Sequence, residues 1–101
     1  MAKVKKLDPI PPGEILAEEF MKPNQISQNR LARDIGLNPA RINDIVHGRS
    51  AITASIALRL SKYFGTSPEL WMNLQTDYEL RRARRGEWPK IERRIRMPAA
   101  E

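Results

Sequence analysis

Between Gln28 and His47 the chain gathers side chains suited to hydrogen bonding with flat heterocycles and phosphates. Arg41 carries a guanidinium fork that matches O6 and N7 of guanine, and Asn43 an amide that matches N6 and N7 of adenine. Ala40 is small enough to meet a thymine methyl. Arg41 can equally bond a phosphate, since such contacts are at least as common as base contacts. Asn43, one position past Ile42, can also lie at the edge of a groove. Arg49 and Ser50, just beyond this cluster, are candidates for contacts to a nucleic-acid backbone. Asp44 is unfavourable beside phosphate and is expected to point away or to accept from a cytosine amine.

The same inventory argues against catalysis. His47 is the only histidine and there is no cysteine, so neither a zinc site nor a disulfide framework has support. General acid–base chemistry needs a positioned titrating pair, which one histidine without a neighbouring nucleophile does not supply. A small nuclease is therefore disfavoured, and no catalytic residue, metal or cofactor is expected. His47 reads instead as a polar residue near a helix end, within reach of DNA.

The elements that must carry these residues are helical. Pro11 or Pro12 opens a first helix with Ile15, Leu16 and Phe20 at helical spacing. Ser27 caps a second, with Ile26 and Leu31 as a hydrophobic staple, and Gly36 stops it. Asn38 caps a third, with Pro39 at its first position, and Gly48 ends it. Thr53 caps a fourth that carries Ile56, Ala57, Leu60 and Phe64 to Gly65. Ser67-Pro68 opens a fifth whose Trp71, Leu74 and Tyr78 point inward, and residues 90–96 allow a short sixth. No segment alternates with a period of two, so the fold class is an all-α, compact five-helix bundle.

The turn Gly36-Leu37-Asn38 is too short for antiparallel helices, and a glycine-containing turn of that length sets them near 90–120° apart in helix-turn-helix geometry. Small Ala32 fits their close approach, Ile35, Ile42 and Ile45 supply the shared core, and Leu37 plugs the turn.

With 101 residues the chain suits one domain. Residues 1–80 hold 10 Lys/Arg against 9 Asp/Glu, whereas residues 81–101 hold 8 against 3. The division drawn from this is a DNA-binding domain with a dimerising terminal helix over 1–80 and a basic arginine-rich tail over 81–101. Such a tail attracts nucleic acid or an acidic partner, or simply solvates a helix end. No apolar run approaches the roughly 18 residues of a membrane span. Met1–Lys6 is basic, but Asp8 and three prolines follow where a signal peptide needs an apolar stretch. A cytoplasmic protein without a membrane partner is expected.

The central segment resembles the phage-repressor, XRE or Cro/C1, type of helix-turn-helix. The wider pattern is similar to the HigA (VapI) family of addiction-module antitoxins. The match is carried by Pro12-Gly13-Glu14-Ile15-Leu16, Glu18-Glu19-Phe20, Ser27-Gln28, Leu31-Ala32, Arg41-Ile42-Asn43, Ile45-Val46 and Gly48. It continues through Ala51-Ile52-Thr53, Ala57-Leu58-Arg59-Leu60, Tyr63-Phe64-Gly65-Thr66-Ser67-Pro68-Glu69 and Trp71, roughly residues 9–80. The arginine-rich tail lies outside it.

The resemblance implies a repressor of its own operon that also binds a small, basic, ribonuclease-type toxin. It places Gln28 at a position that bonds a phosphate and braces the recognition helix. Asn38 reads first as a cap, with a phosphate contact open to it beside the groove. The alternative is a lone XRE-type regulator that shares only the DNA half. A single motif reads few base pairs, so a homodimer on a double-stranded operator is expected, with its two motifs about 34–36 Å apart. Met72, Thr76, Leu80 and Ala83 form the candidate dimerisation ridge. The acidic first helix, with Glu14, Glu18 and Glu19 beside Ile15 and Phe20, is the candidate toxin face.

Overall fold

Four of the helices start where a short polar side chain satisfies a free backbone N–H. Ser27 Oγ accepts from Arg30 N at 3.0 Å, Asn38 Oδ1 from Ala40 N at 2.8 Å, Thr53 Oγ1 from Ile56 N at 3.3 Å and Ser67 Oγ from Leu70 N at 3.1 Å. In the computed structural model, which describes residues 8–99, these caps open α2 (Gln28–Ile35), α3 (Pro39–Val46), α4 (Ala54–Phe64) and α5 (Pro68–Arg85). They follow α1 (Pro12–Ile15), and α6 (Trp88–Glu92) comes last. No strand occurs among the described residues. The basic stretch Met1–Lys6 lies outside them.

The first helix departs from the expected regular α-helix. After Ile15 it widens into a π-helix over Leu16–Met21, closed by Lys22 N donating to Ala17 O at 2.9 Å. Residues five apart lie about 140° apart on an α-helix of 3.6 residues per turn. The i→i+5 bonding of a π-turn brings them back to one side. Leu16 and Met21 are accordingly both buried, and core burial sets the local geometry.

The core gathers Leu16, Leu31, Ile42, Ile45, Ile52, Leu60 and Trp71, all buried, one or two from each of α1–α5 and their connections. Phe20 joins it with its ring centroid 5.3 Å from Phe64 and 4.9 Å from Trp71. The indole Nε1 of Trp71 donates to Thr66 Oγ1 at 2.8 Å, so its one polar atom is satisfied.

Beyond this core the molecule changes character. α5 runs unbroken to Arg85, so the division at residue 80 marks a change of composition inside one helix. Every described residue from Glu79 onward is exposed. The short helix after it begins at Trp88, with Pro89 in its first turn, and ends at Glu92, earlier than the 90–96 stretch.

Candidate nucleic-acid interface

α2 and α3 meet as the turn requires. Gly36 adopts φ 76°, a left-handed conformation that glycine takes without penalty, and Leu37 N donates back to Ala32 O at 2.8 Å. Ala32 is wholly buried, Ile42 and Ile45 face the core, and Leu37 packs against it. The turn has a further support. Arg59 of α4 donates from Nη1 to the carbonyls of Ile35 at 2.6 Å and Gly36 at 3.0 Å. A cation on the C-terminal carbonyls of α2 meets the negative end of its dipole.

α3 is seated from behind by α1. The Cα of Gly13, buried in the first turn, faces the backbone of Ile45 and Val46 so closely that a Cβ there would overlap Ile45 O. Beyond the end of α3, Gln75 of α5 is buried; its Oε1 accepts from Ile52 N at 2.8 Å and its Nε2 donates to Glu79 Oε2 at 2.8 Å. This bond ties the segment after α3 to α5.

With its inner face so held, α3 turns Ala40, Arg41 and His47 outward, all exposed. The Arg41 side chain makes no hydrogen bond or ion pair among the described residues, which leaves its guanidinium unengaged. Asn38 is exposed and caps α3 through its side chain, as read from the sequence. His47 Nδ1 lies 2.9 Å from Asn43 O and, protonated at that nitrogen, donates to it. Ser50 is half-buried beside Arg49, in a cleft shared with Pro11, Gln75, Tyr78 and Arg82.

Three site residues behave differently from the simplest reading. Asn43 is engaged within the protein: Nδ2 donates to Gln28 Oε1 at 3.1 Å, and Oδ1 accepts from Arg49 Nη2 at 2.9 Å. Arg49 is engaged a second time, with Nε 3.2 Å from Asp44 Oδ1, so Asp44 faces a cation of its own chain. Met72 is half-buried and packs on the core, because it sits where α5 still crosses α4. The outward ridge therefore begins at Thr76 and continues through Leu80, 46% exposed, and Ala83. There it joins Trp88 and Ile91, which with Glu79 and Arg82 line an open groove of about 470 Å³ between α5 and α6.

In the π-helical segment Glu18 pairs with Lys22 at 2.9 Å, whereas Glu19 there and Glu14 on α1 are exposed without an ion pair among the described residues. Away from α3, Tyr63 OH donates to Asp34 Oδ2 at 2.6 Å. That bond, aided by Arg30 and Arg33, holds the Asp34 carboxyl below its ordinary pKa, and it raises that of Tyr63. Among the described residues no helix is long and apolar enough to cross a membrane.

Gly13, Arg59 and Gln75 position the site without having been singled out as its supports. Gly13 carried one sequence signal, a glycine inside a helical pattern, which marks a close backbone approach. Arg59 and Gln75 carried none, because their partners lie 23 or 24 residues away.

The helix-turn-helix family pattern matches residues 18–71. Virulence-associated protein I of Dichelobacter nodosus is 49% identical over 74 residues, 73% of this chain and 68% of that protein. Antitoxin HigA-1 of Vibrio cholerae is 32% identical over 80 residues, 79% of this chain and 74% of its own length. The solved structure of Pseudomonas aeruginosa antitoxin HigA with the higBA promoter superposes with a TM-score of 0.85 at 42% identity, covering 90% of this chain and 99% of that one. The chain belongs to the HigA (VapI) family of antitoxins, built on the XRE type of helix-turn-helix.

Proposed function

We propose that this protein is a sequence-specific DNA-binding repressor that acts in the cytoplasm as the antitoxin of a toxin–antitoxin pair. Two copies grip a double-stranded operator, and a small basic toxin binds elsewhere on the protein. The observation that carries the reading is the pose of α3, whose inner face packs on α1 and α2 while the Ala40 methyl and the Arg41 guanidinium stand exposed on its outer face. A rigid helix with free hydrogen-bonding groups on its outer face suits the major groove. Support also comes from the Pseudomonas HigA, solved with its promoter and 42% identical over 90% of this chain.

Binding, not catalysis, is the work assigned to the chain, since His47 is set against the Asn43 carbonyl. Self-association falls to Thr76, Leu80 and Ala83 with the groove beside them. An apolar ridge on a terminal helix is better covered by a second copy than left in water. For the toxin, Glu14 and Glu19 offer exposed carboxylates without an ion pair among the described residues, and opposite charge there would speed encounter with a basic partner.

Co-expression tests the pairing. The product of the adjacent small basic gene is expected to halt growth alone and to be neutralised by this chain. Charge reversal at Glu14 and Glu19 together is expected to weaken rescue. Failure of wild-type rescue leaves a lone regulator, and undiminished rescue by the charge-reversed variant moves the toxin to another face.

A further inference from the structure

Three parts of the reading surface converge on one side chain. Asn43 sits half-buried in α3; its Nδ2 donates to Gln28 Oε1 at the start of α2, and its Oδ1 accepts from Arg49 Nη2 in the segment after α3. Its backbone carbonyl accepts from His47 N at 3.1 Å as well as facing the His47 ring. Arg49 is itself steadied by Asp44. An asparagine amide has two donor hydrogens and two acceptor lone pairs, and pairing with adenine uses one oxygen and one nitrogen side by side. In this protein each of the two atoms already bonds a different element, so the orientation of the half-buried amide is set within the protein.

We propose that Asn43 is a positioning residue and not a base reader: the Gln28–Asn43–Arg49 chain fixes how α3 lies on α2, and base selection falls to Ala40 and Arg41. The proposal rests on the DNA-binding function above and deepens it. Gln28 cannot hold the amide alone, because an unopposed Asn43 could rotate away; Arg49 on the oxygen fixes which end of the amide faces Gln28. Loss of either bond frees α3 to shift on α2, and every base contact it makes shifts together. A base reader behaves differently, since its removal relaxes preference at the one pair it touches.

The test is a full preference profile. A randomised 20-base-pair duplex pool is enriched on the wild-type protein. Affinities are then measured for the enriched duplex and all its single-pair substitutions, with the wild type, Asn43→Ala, Gln28→Ala and the double variant. Asn43→Ala is expected to weaken the enriched duplex roughly tenfold and to flatten preference at several positions at once. The double variant is expected to fall no more than about threefold below the weaker single one, because both changes break the same chain. Gln28→Glu keeps an oxygen opposite the Asn43 amide. It is expected to weaken all duplexes evenly through its charge while preserving the wild-type order of preferences. Loss of preference at one A·T pair only, or additive effects in the double variant, overturns the proposal. Failure of the wild type to enrich any duplex overturns the DNA-binding function beneath it.

Discussion

Trp71 and Trp88 both lie beyond the helix-turn-helix, yet their surroundings differ in kind. Trp71 is fully buried, its ring against Phe20 and its indole N–H on Thr66. Trp88 is 38% exposed on a segment where nothing is buried, beside Glu79, Ala83 and Ile91. The first region satisfies its apolar groups within one chain; the second displays them, with Leu80, Ile91, Ile95 and Met97 also exposed. Residues 81–101 hold eight basic residues against three acidic ones, so the apolar groups there are presented in a cationic setting. The difference separates apolar groups that build the core from apolar groups left on the surface.

Substitutions at the two tryptophans should break that contrast most visibly. Trp71→Ala is expected to cost about 3–5 kcal/mol, a large share of a small domain's stability, read by denaturant unfolding. Trp88→Ala is expected to leave unfolding of the monomer within about 0.5 kcal/mol. The same change is expected to raise the self-association constant for dissociation at least about tenfold in sedimentation experiments. Equal effects of the two on monomer stability would erase the distinction.

Gly13→Ala tests the folding region at its tightest contact. The added methyl collides with the Ile45 backbone, which cannot rotate aside as a side chain would. About 3 kcal/mol of lost stability is expected, roughly 12–24 °C in Tm for a domain of this size. A small loss would mean that α1 can back away from α3 without harm.

The smallest effect is electrostatic. Asp34 is held below its ordinary pKa, chiefly by the Tyr63 hydroxyl. Its stabilising contribution is therefore full above the unfolded value of about 3.9 and is lost as pH falls through the lower folded one. Tyr63→Phe is expected to lower stability by a small, constant amount above about pH 5 and by less at lower pH. An NMR titration is expected to show the Asp34 midpoint moving up toward the ordinary value. The pair is exposed, so salt should shrink the effect further.

What could be read from the chain was what neighbouring residues decide together. The caps at Ser27, Asn38, Thr53 and Ser67 and the stops at Gly36 and Gly65 act within a turn of the helix they bound, and each stands where the spacing put it. Small Ala32 was legible for the same reason, since the turn beside it forces a close crossing. The π-turn at Leu16–Met21 was not, because it answers to a core assembled from four other helices. Asn43 offered the right chemistry for adenine, and its bonds to Gln28 and Arg49 were not legible, because they depend on how α2 and the segment after α3 are brought together. Met72 fell on the expected ridge by helical angle but is claimed by the core, as the angle alone does not say where α5 leaves α4.

The central claim is that two copies, joined through the exposed arm, set two recognition helices on one face of DNA. Footprinting the enriched duplex with the full chain, alongside native mass measurement of the complex, tests it most directly. Two protected half-sites with centres about 34–36 Å apart, and two chains per duplex, are the expected result. A single protected half-site occupied by one chain at saturating protein would contradict it.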